Sequence, residues 1–317
     1  MKKVLVTTRL LKLNEERISK LWDVKLNLKN EKYSQKKLVE LSKDCDGILS
    51  SINDKFDEKT INKLSEKVKI ISNFAVGFGN IDVKAASKKN IVVTNTPDVL
   101  TDATAEVAML LILGASRRAT EGIKWARNKN WKWSSDFLIG KELSGSNLGI
   151  LGMGRIGRAV AKRARAFGMK IHYHNRSKLN EDLEGGAIYH DNIKSLFSIS
   201  DILSINCPAT NETKKIINKK TLSYFSKEAI ITNSARGDMI DDNAMVEALK
   251  NKRIFAIGLD VYNGEPNIHP GYLKLPNVFI LPHIGSATKK TRNDMANLAI
   301  DNIEEFFKSG KCINKVN

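Results

Sequence analysis

The 317-residue chain is 42% hydrophobic and 27% charged, the balance of a soluble globular protein long enough for two ordinary domains. Its three cysteines, Cys45, Cys207 and Cys312, have no paired spacing, which argues against a disulfide framework or a metal site and for a reducing, cytoplasmic setting. The net charge of +17 comes from lysines scattered through every segment, with no aromatic-interleaved basic motif, so it reads as a field that attracts anionic small molecules rather than as a nucleic-acid surface.

Met1 to Val6 holds too short an apolar run for a secretory signal, and Val4–Val6 reads instead as a strand. Glu15–Leu21 reads as a helix, Gly47–Leu49 as a strand, Ile61–Glu66 as a helix, and Ile70–Ser72 and Ile91–Val93 as further strands. After Pro97 a long helical pattern runs from Thr101 or Asp102 to about Arg118. Asp102 is placed to cap its start and Glu106 to favour its positive end. Within it the apolar stretch Val107–Leu113 falls far short of the about 20 residues that span a bilayer, and no membrane association is expected. A second strand–helix series runs from Asn147 to about Ile280, and a last helix from Thr288 to about Phe307. Alternation of this kind implies α/β architecture with parallel sheets covered on both faces.

Leu148–Leu151 is an apolar strand running into Gly152-Met153-Gly154-Arg155-Ile156-Gly157 and then into a helical stretch to Phe167. This is G-x-G-x-x-G in the setting that dinucleotide binding requires. Gly152 permits the tight turn, Gly154 the close approach of the pyrophosphate and Gly157 close helix–strand packing, while the helix start offers free N–H groups. A purely structural glycine turn is the alternative. The next strand, Lys170–His174, ends in Asn175-Arg176-Ser177. An NAD-specific site places a carboxylate there on the ribose 2′-hydroxyl. Here Arg176 can pair with a 2′-phosphate, and Asn175 and Ser177 can donate to it, so NADP(H) is the expected cofactor, with NAD(H) possible.

Three later strands, Ile230–Thr232, Phe255–Asp260 and Val278–Leu281, are followed by Arg236, Glu265 and His283 respectively. Ligands bind outside the carboxyl ends of such strands. Reduction of a keto acid suits these residue types. A protonated histidine donates a proton to the carbonyl oxygen, a carboxylate orients the imidazole and favours its charged form, and an arginine holds the substrate carboxylate and polarises the carbonyl. Each residue alone also suits an ordinary structural role.

The chain resembles the D-isomer-specific 2-hydroxyacid dehydrogenase family over nearly its whole length. The likeness rests on Val76–Asp82, Pro97–Glu106, the glycine fingerprint, Ala235–Asp238, Gly258–Val261 and Pro282–Thr288, in the family's order. Within the family it is most similar to the glyoxylate and hydroxypyruvate reductases. The resemblance implies two doubly wound parallel-sheet domains with a cleft between them. One is a Rossmann cofactor domain over 99–285, the other a flavodoxin-like substrate domain built from 1–98 and 286–317. It implies Arg236, Glu265 and His283 as the catalytic set, with Ser51, Val76 and Gly77 joining Arg236 on the substrate. Along the cofactor it implies Thr104, Cys207, Pro208, Thr213, Ser234, Ala235, Asp260, His283 and Gly285 beside the fingerprint residues, with Asp260 near the nicotinamide amide. It also implies a homodimer, with the helix from Thr101 and the tryptophan-bearing arm after it at the interface. Two departures stand out: the usual Asp after the Val-Gly-aromatic turn is Gly79, and the connection from Glu265 to Pro276 is short. Glu265 argues against the Gln–His pairing of formate dehydrogenases. A short phosphoglycerate dehydrogenase, or a cofactor-sensing corepressor of the same fold, is the competing expectation.

Overall fold

A computed structural model describes residues 1–317. It contains two compact units, Met1–Leu100 with Ser286–Asn317, and Thr101–Gly285. In the first unit five parallel strands, β1 (Lys3–Val6), β2 (Asp23–Leu26), β3 (Gly47–Ser50), β4 (Ile70–Asn73) and β5 (Val92–Thr94), lie in the order β2-β1-β3-β4-β5. This is the flavodoxin-like order, with its switch point between β1 and β3. The central strands β3 and β4 are buried at every residue, as a parallel sheet covered on both faces demands. Ser34, Asp57 and Asp82 each start a helix by accepting an N–H three residues on. The Asp57 cap puts that helix at Glu58–Lys63, one turn before the position expected from its apolar residues. Thr288 likewise caps Lys289–Ser309, whose Met295, Ala299, Ile300 and Ile303 form its buried side.

The chain's end is tied into the same unit. Val316 N–H donates to the Val93 carbonyl (2.9 Å), and Lys315 bridges Thr94, so the β5 edge is covered. Asn302, fully buried on the last helix, donates to the Asn95 carbonyl (3.1 Å) and accepts from Asn314 N–H (3.1 Å).

The second unit holds seven parallel strands, β6 (Asn147–Leu151), β7 (Lys170–His174), β8 (Ile188–Tyr189), β9 (Ile202–Ile205), β10 (Ile230–Asn233), β11 (Ala256–Leu259) and β12 (Val278–Ile280). Their order is β12-β11-β10-β9-β6-β7-β8. The chain leaves β6 to one side and returns on the other at β9, which opens the Rossmann switch-point crevice at the carboxyl ends of those two strands. The helix Thr101–Ser116 is buried on most of its circumference and packs on this sheet. Asp102 does not cap it. The helix already includes Thr101, and the Asp102 carboxylate pairs instead with Arg163 (2.9 Å). A further helix, Ala119–Asn128, buries none of its residues. No helix is long and apolar enough to cross a membrane.

Asn302→Ala is expected to lower stability by about 1–3 kcal/mol, the cost of leaving a partly buried carbonyl and a partly buried N–H unpaired. Equilibrium urea unfolding measures it, and a loss below about 0.5 kcal/mol would mean that water satisfies both groups.

Candidate active site

The glycine fingerprint forms the turn between β6 and the helix Arg155–Ala166. Gly152 has φ +95°, and a Cβ there would lie 2.5 Å from the backbone nitrogen of Cys207, just beyond β9, so only glycine fits. Gly154 is the N-cap, exposed, with open space where a side chain would stand. Met153 is buried, and its N–H donates to Oδ1 of Asn175 (2.7 Å). The turn is thereby held from the end of β7, at the start of a twelve-residue helix whose first N–H groups have no partner within the helix. The donor set and the room suit a pyrophosphate.

Beyond β7, Asn175 is engaged through its oxygen with the fingerprint, while Arg176 and Ser177 are exposed. Arg176 makes no hydrogen bond or ion pair within the chain, so its guanidinium is available to an anionic ligand. After β9, burial pushes the Cys207 thiol up to about 11, making it a neutral wall. The loop that follows is closed by Thr213, whose hydroxyl donates to the Pro208 carbonyl and accepts from Thr210 N–H (both 2.8 Å).

Arg236, Glu265 and His283 are brought together by three strand-end turns. Asn233, fully buried at the end of β10, accepts from Ala235 N–H (2.9 Å) and donates to the Arg236 carbonyl (2.8 Å), so Ser234 and Ala235 bulge outward. Gly237 then lies against the backbone of Tyr262, where a Cβ would stand 1.9 Å from the carbonyl carbon. That approach, possible only for glycine, sets the Arg236 turn on the turn after β11. There Tyr262 N–H donates to Oε1 of Glu265 (2.8 Å), which aims Oε2 at His283 Nδ1 (2.6 Å). A carboxylate only accepts, so Nδ1 is the donor and Nε2 is left for chemistry.

His283 sits at φ +55°, a left-handed conformation that costs a non-glycine residue about 1–3 kcal/mol. The residues after it hold it there: Ile284 and Gly285 N–H donate to the two oxygens of Asp260 (2.8 Å each). Thr104, buried on the long helix, lies beside Gly285. Both Asp260 oxygens thus serve the histidine turn, which the sequence did not indicate.

Burial and charge compete here. Burial pushes the Glu265 carboxyl up, but the hydrogen bond and charge of His283, the Tyr262 N–H and the Arg236 charge outweigh it and hold the group below its ordinary value. Burial draws the Arg236 guanidinium below its usual range, against the opposing pull of Glu265 and Asp238. Burial also keeps the Asp260 carboxyl raised in spite of its two N–H donors.

In the first unit the β4–β5 side of the sheet carries Val76 and Gly77. Asn95 donates to the Val76 carbonyl (2.8 Å) and Asn73 to the Gly77 carbonyl (2.9 Å). With both carbonyls turned inward, neither residue's N–H has a partner in the chain. Ser51 is buried, and its N–H and hydroxyl both donate to Asp54 (2.8 and 3.2 Å). Asn73, Asn95, Asp54, Asn233 and Tyr262 were not among the residues singled out from the sequence. The available signal was an asparagine at or just past the end of an apolar strand.

Residues 109–285 match the NAD binding domain of the D-isomer specific 2-hydroxyacid dehydrogenases. The chain is 40% identical over 309 residues to a glycerate dehydrogenase from Hyphomicrobium methylovorum, covering 96% of each protein. It is 39% identical to a glyoxylate reductase from Thermococcus litoralis, covering 99% of this chain and 96% of that one. Among solved structures it resembles an NADPH-dependent glyoxylate/hydroxypyruvate reductase from Sinorhizobium meliloti in complex with NADP and malonate. That match has 32% identity, a TM-score of 0.89, and coverage of 99% of this chain and 96% of that one.

The depressed Glu265 value has a consequence for acid stability. A carboxyl lowered on folding stabilises the native state fully above its ordinary value of 4.5, and that contribution is lost as pH falls through the lower folded value. The stability gap between the parent and Glu265→Gln is therefore expected to hold down to about pH 4.5 and to close below it. Thermal unfolding at stepped pH tests this, and a gap that widens with acid would contradict it.

Proposed function

The chain belongs to the D-isomer specific 2-hydroxyacid dehydrogenase family and is an NAD(P)-dependent enzyme, and within that family we propose that it reduces glyoxylate or hydroxypyruvate to the 2-hydroxy acid with a preference for NADPH. The observation that carries this reading is the 2.6 Å contact between Glu265 and His283 Nδ1, on the same strand ends that present Arg236. The bound reduced nicotinamide supplies the hydride that adds to the keto carbon. His283 gives its Nε2 proton to the carbonyl oxygen as negative charge develops there. Glu265 accepts the Nδ1 hydrogen bond and so holds the imidazole in the orientation that leaves Nε2 for the substrate. Arg236 polarises the carbonyl and binds the substrate carboxylate, and its partly dehydrated charge is worth more than it would be in water. The unpaired N–H groups of Val76 and Gly77 form a receptor for a carboxylate in the first unit. The glycerate dehydrogenase relative is consistent with hydroxypyruvate, whose reduction yields glycerate.

The NADPH preference rests on Arg176, exposed and unpaired after β7, in a triplet that lacks the carboxylate of NAD-specific sites. A substrate panel of small 2-oxo acids with each reduced cofactor tests the reading as a whole. Arg176→Ala is expected to lower kcat/KM for NADPH by roughly 10–100-fold, from the about 1.5–3 kcal/mol of a charge-assisted hydrogen bond, and to leave NADH use nearly unchanged. Equal losses with both cofactors would refute the preference.

The same reading includes a homodimer. On the arm after the long helix Trp131 and Trp133 are 51% and 80% exposed, and Trp131 stacks only on Phe137 of the same arm. Large aromatic surface in a polar setting fits an interface, and a second copy of the chain is the proposed partner. Trp131→Ala with Trp133→Ala should raise the concentration at which the dimer dissociates, with turnover falling alongside. Sedimentation over a dilution series, with activity measured on the same samples, decides it. A variant that keeps the parent's mass and KM at every dilution would exclude this role.

A further inference from the structure

We propose that Tyr262 is a positioning residue for proton transfer, its hydroxyl clamping the Leu281 carbonyl and so fixing where the His283 imidazole stands. This rests on the reading of His283 as the proton donor.

Tyr262 is 9% exposed and packs in the core cluster that includes Met239, Leu259 and Val278. Its hydroxyl lies 2.6 Å from the Leu281 carbonyl and 3.2 Å from that of Leu259. A hydroxyl has one proton, and the shorter contact takes it. Leu281 N–H already donates to the Leu259 carbonyl (2.8 Å). Both polar backbone groups of Leu281, two residues before His283, are thus tied to the segment Leu259–Tyr262. On the far side Asp260, in that same segment, holds Ile284 and Gly285. His283, in its left-handed conformation, spans two anchored points. Such a conformation persists only where its surroundings over-determine it.

Tyr262 also acts on the partner of the pair. Its backbone N–H holds Oε1 of Glu265, whose other oxygen takes His283 Nδ1. One residue therefore fixes the carboxylate through its main chain and the imidazole's turn through its side chain. Burial keeps the phenol protonated far above neutral pH, so it remains a donor throughout the working range. Removing only the hydroxyl leaves the carboxylate's anchor in place and frees the upstream end of the histidine turn.

The test is Tyr262→Phe, with His283→Ala and Glu265→Gln assayed in parallel with NADPH and a 2-oxo acid substrate. A displacement of about 1 Å costs up to roughly 100-fold, so kcat should fall about 10–100-fold while substrate KM and NADPH affinity stay within about twofold. The pH–rate profile for reduction should move in the same direction as that of Glu265→Gln, because both variants weaken the contact between Glu265 and His283. In the NADPH-bound protein the low-field resonance of the Nδ1 proton should move upfield, a readout that does not depend on turnover. Unchanged kcat and profile in Tyr262→Phe, with His283→Ala inactive, would overturn the proposal and leave the reading of the site standing. A loss of kcat that only tracks a lowered melting temperature, with the profile and the resonance unmoved, would also overturn it. Full turnover in His283→Ala would remove the reading itself, and this proposal with it.

Discussion

Asp260 accepts two consecutive backbone N–H groups, those of Ile284 and Gly285, and the geometry of the turns at the carboxyl end of the sheet follows from that clamp. A histidine at φ +55° is not a conformation the chain adopts unaided. The clamp holds the turn from its downstream side and aims the imidazole back over the strand ends towards Glu265. Asp260 can do this because its own backbone N–H is tied to the carbonyl of Asn233 (3.0 Å), at the end of the neighbouring β10. The strand that carries the clamp is thus registered against the strand that carries the arginine turn. Gly237 completes the arrangement by letting the Arg236 turn touch the Tyr262 backbone, an approach that any side chain would prevent. Three turns from three strands are tied to one another, and Arg236, Glu265 and His283 take their relative places from those ties.

These ties matter because the groups are costly to bury. Arg236 and Glu265 each lose solvation, and each recovers part of the loss from the other's charge. Glu265 recovers more, because it also accepts from His283 and from a backbone N–H, and ends with its charged form favoured. Asp260 recovers less, so its carboxyl is raised even with two N–H donors. The difference lies in the charges each carboxylate meets. Glu265 faces His283 and Arg236, whereas Asp260 meets His283 and is opposed by Glu265 itself. One carboxylate thus has its charged form favoured beside His283, while the other holds the backbone of the turn.

The sequence made the frame legible where burial produces continuous apolar runs. The strands β1, β3, β4, β6, β10 and β11 could be read directly, and so could the glycine fingerprint, whose spacing is set by a turn. It hid elements whose sides are mixed. The strand β2 lies at a sheet edge with no residue fully buried, and the helix Gln35–Leu41 buries only Leu38, so neither shows a period. The helix Glu58–Lys63 was placed one turn late because its apolar residues trail the Asp57 cap. Asp102 looked like a cap, yet its partner Arg163 lies 61 residues away, beyond any local pattern. Arg236, Glu265 and His283 could be found because their chemistry and strand-end placement agree. The residues that aim them were not singled out, because a buried tyrosine has no chemical signature of its own in a sequence and an asparagine has only its place at or just past the end of an apolar strand.

Asparagine recurs at these strand ends for a physical reason. A strand end that must present N–H groups or a cation outward has to turn its carbonyls inward, where no water reaches them. A carboxamide can donate to one such carbonyl and accept from a nearby N–H at once, which neither a carboxylate nor an ammonium can do. Asn233 does both across the Arg236 turn, and Asn73 and Asn95 take the carbonyls of Gly77 and Val76. Asn175 does the accepting half for the fingerprint turn. Both sheets thus use the same neutral device to fold polar backbone inward while leaving the outward groups free for an anion. Replacing the amide with a charge would satisfy one side of the turn and strand the other. The arginines stand on or beside these turns: Arg236 itself donates to the Ala235 carbonyl (2.7 Å), and Arg176 follows Asn175.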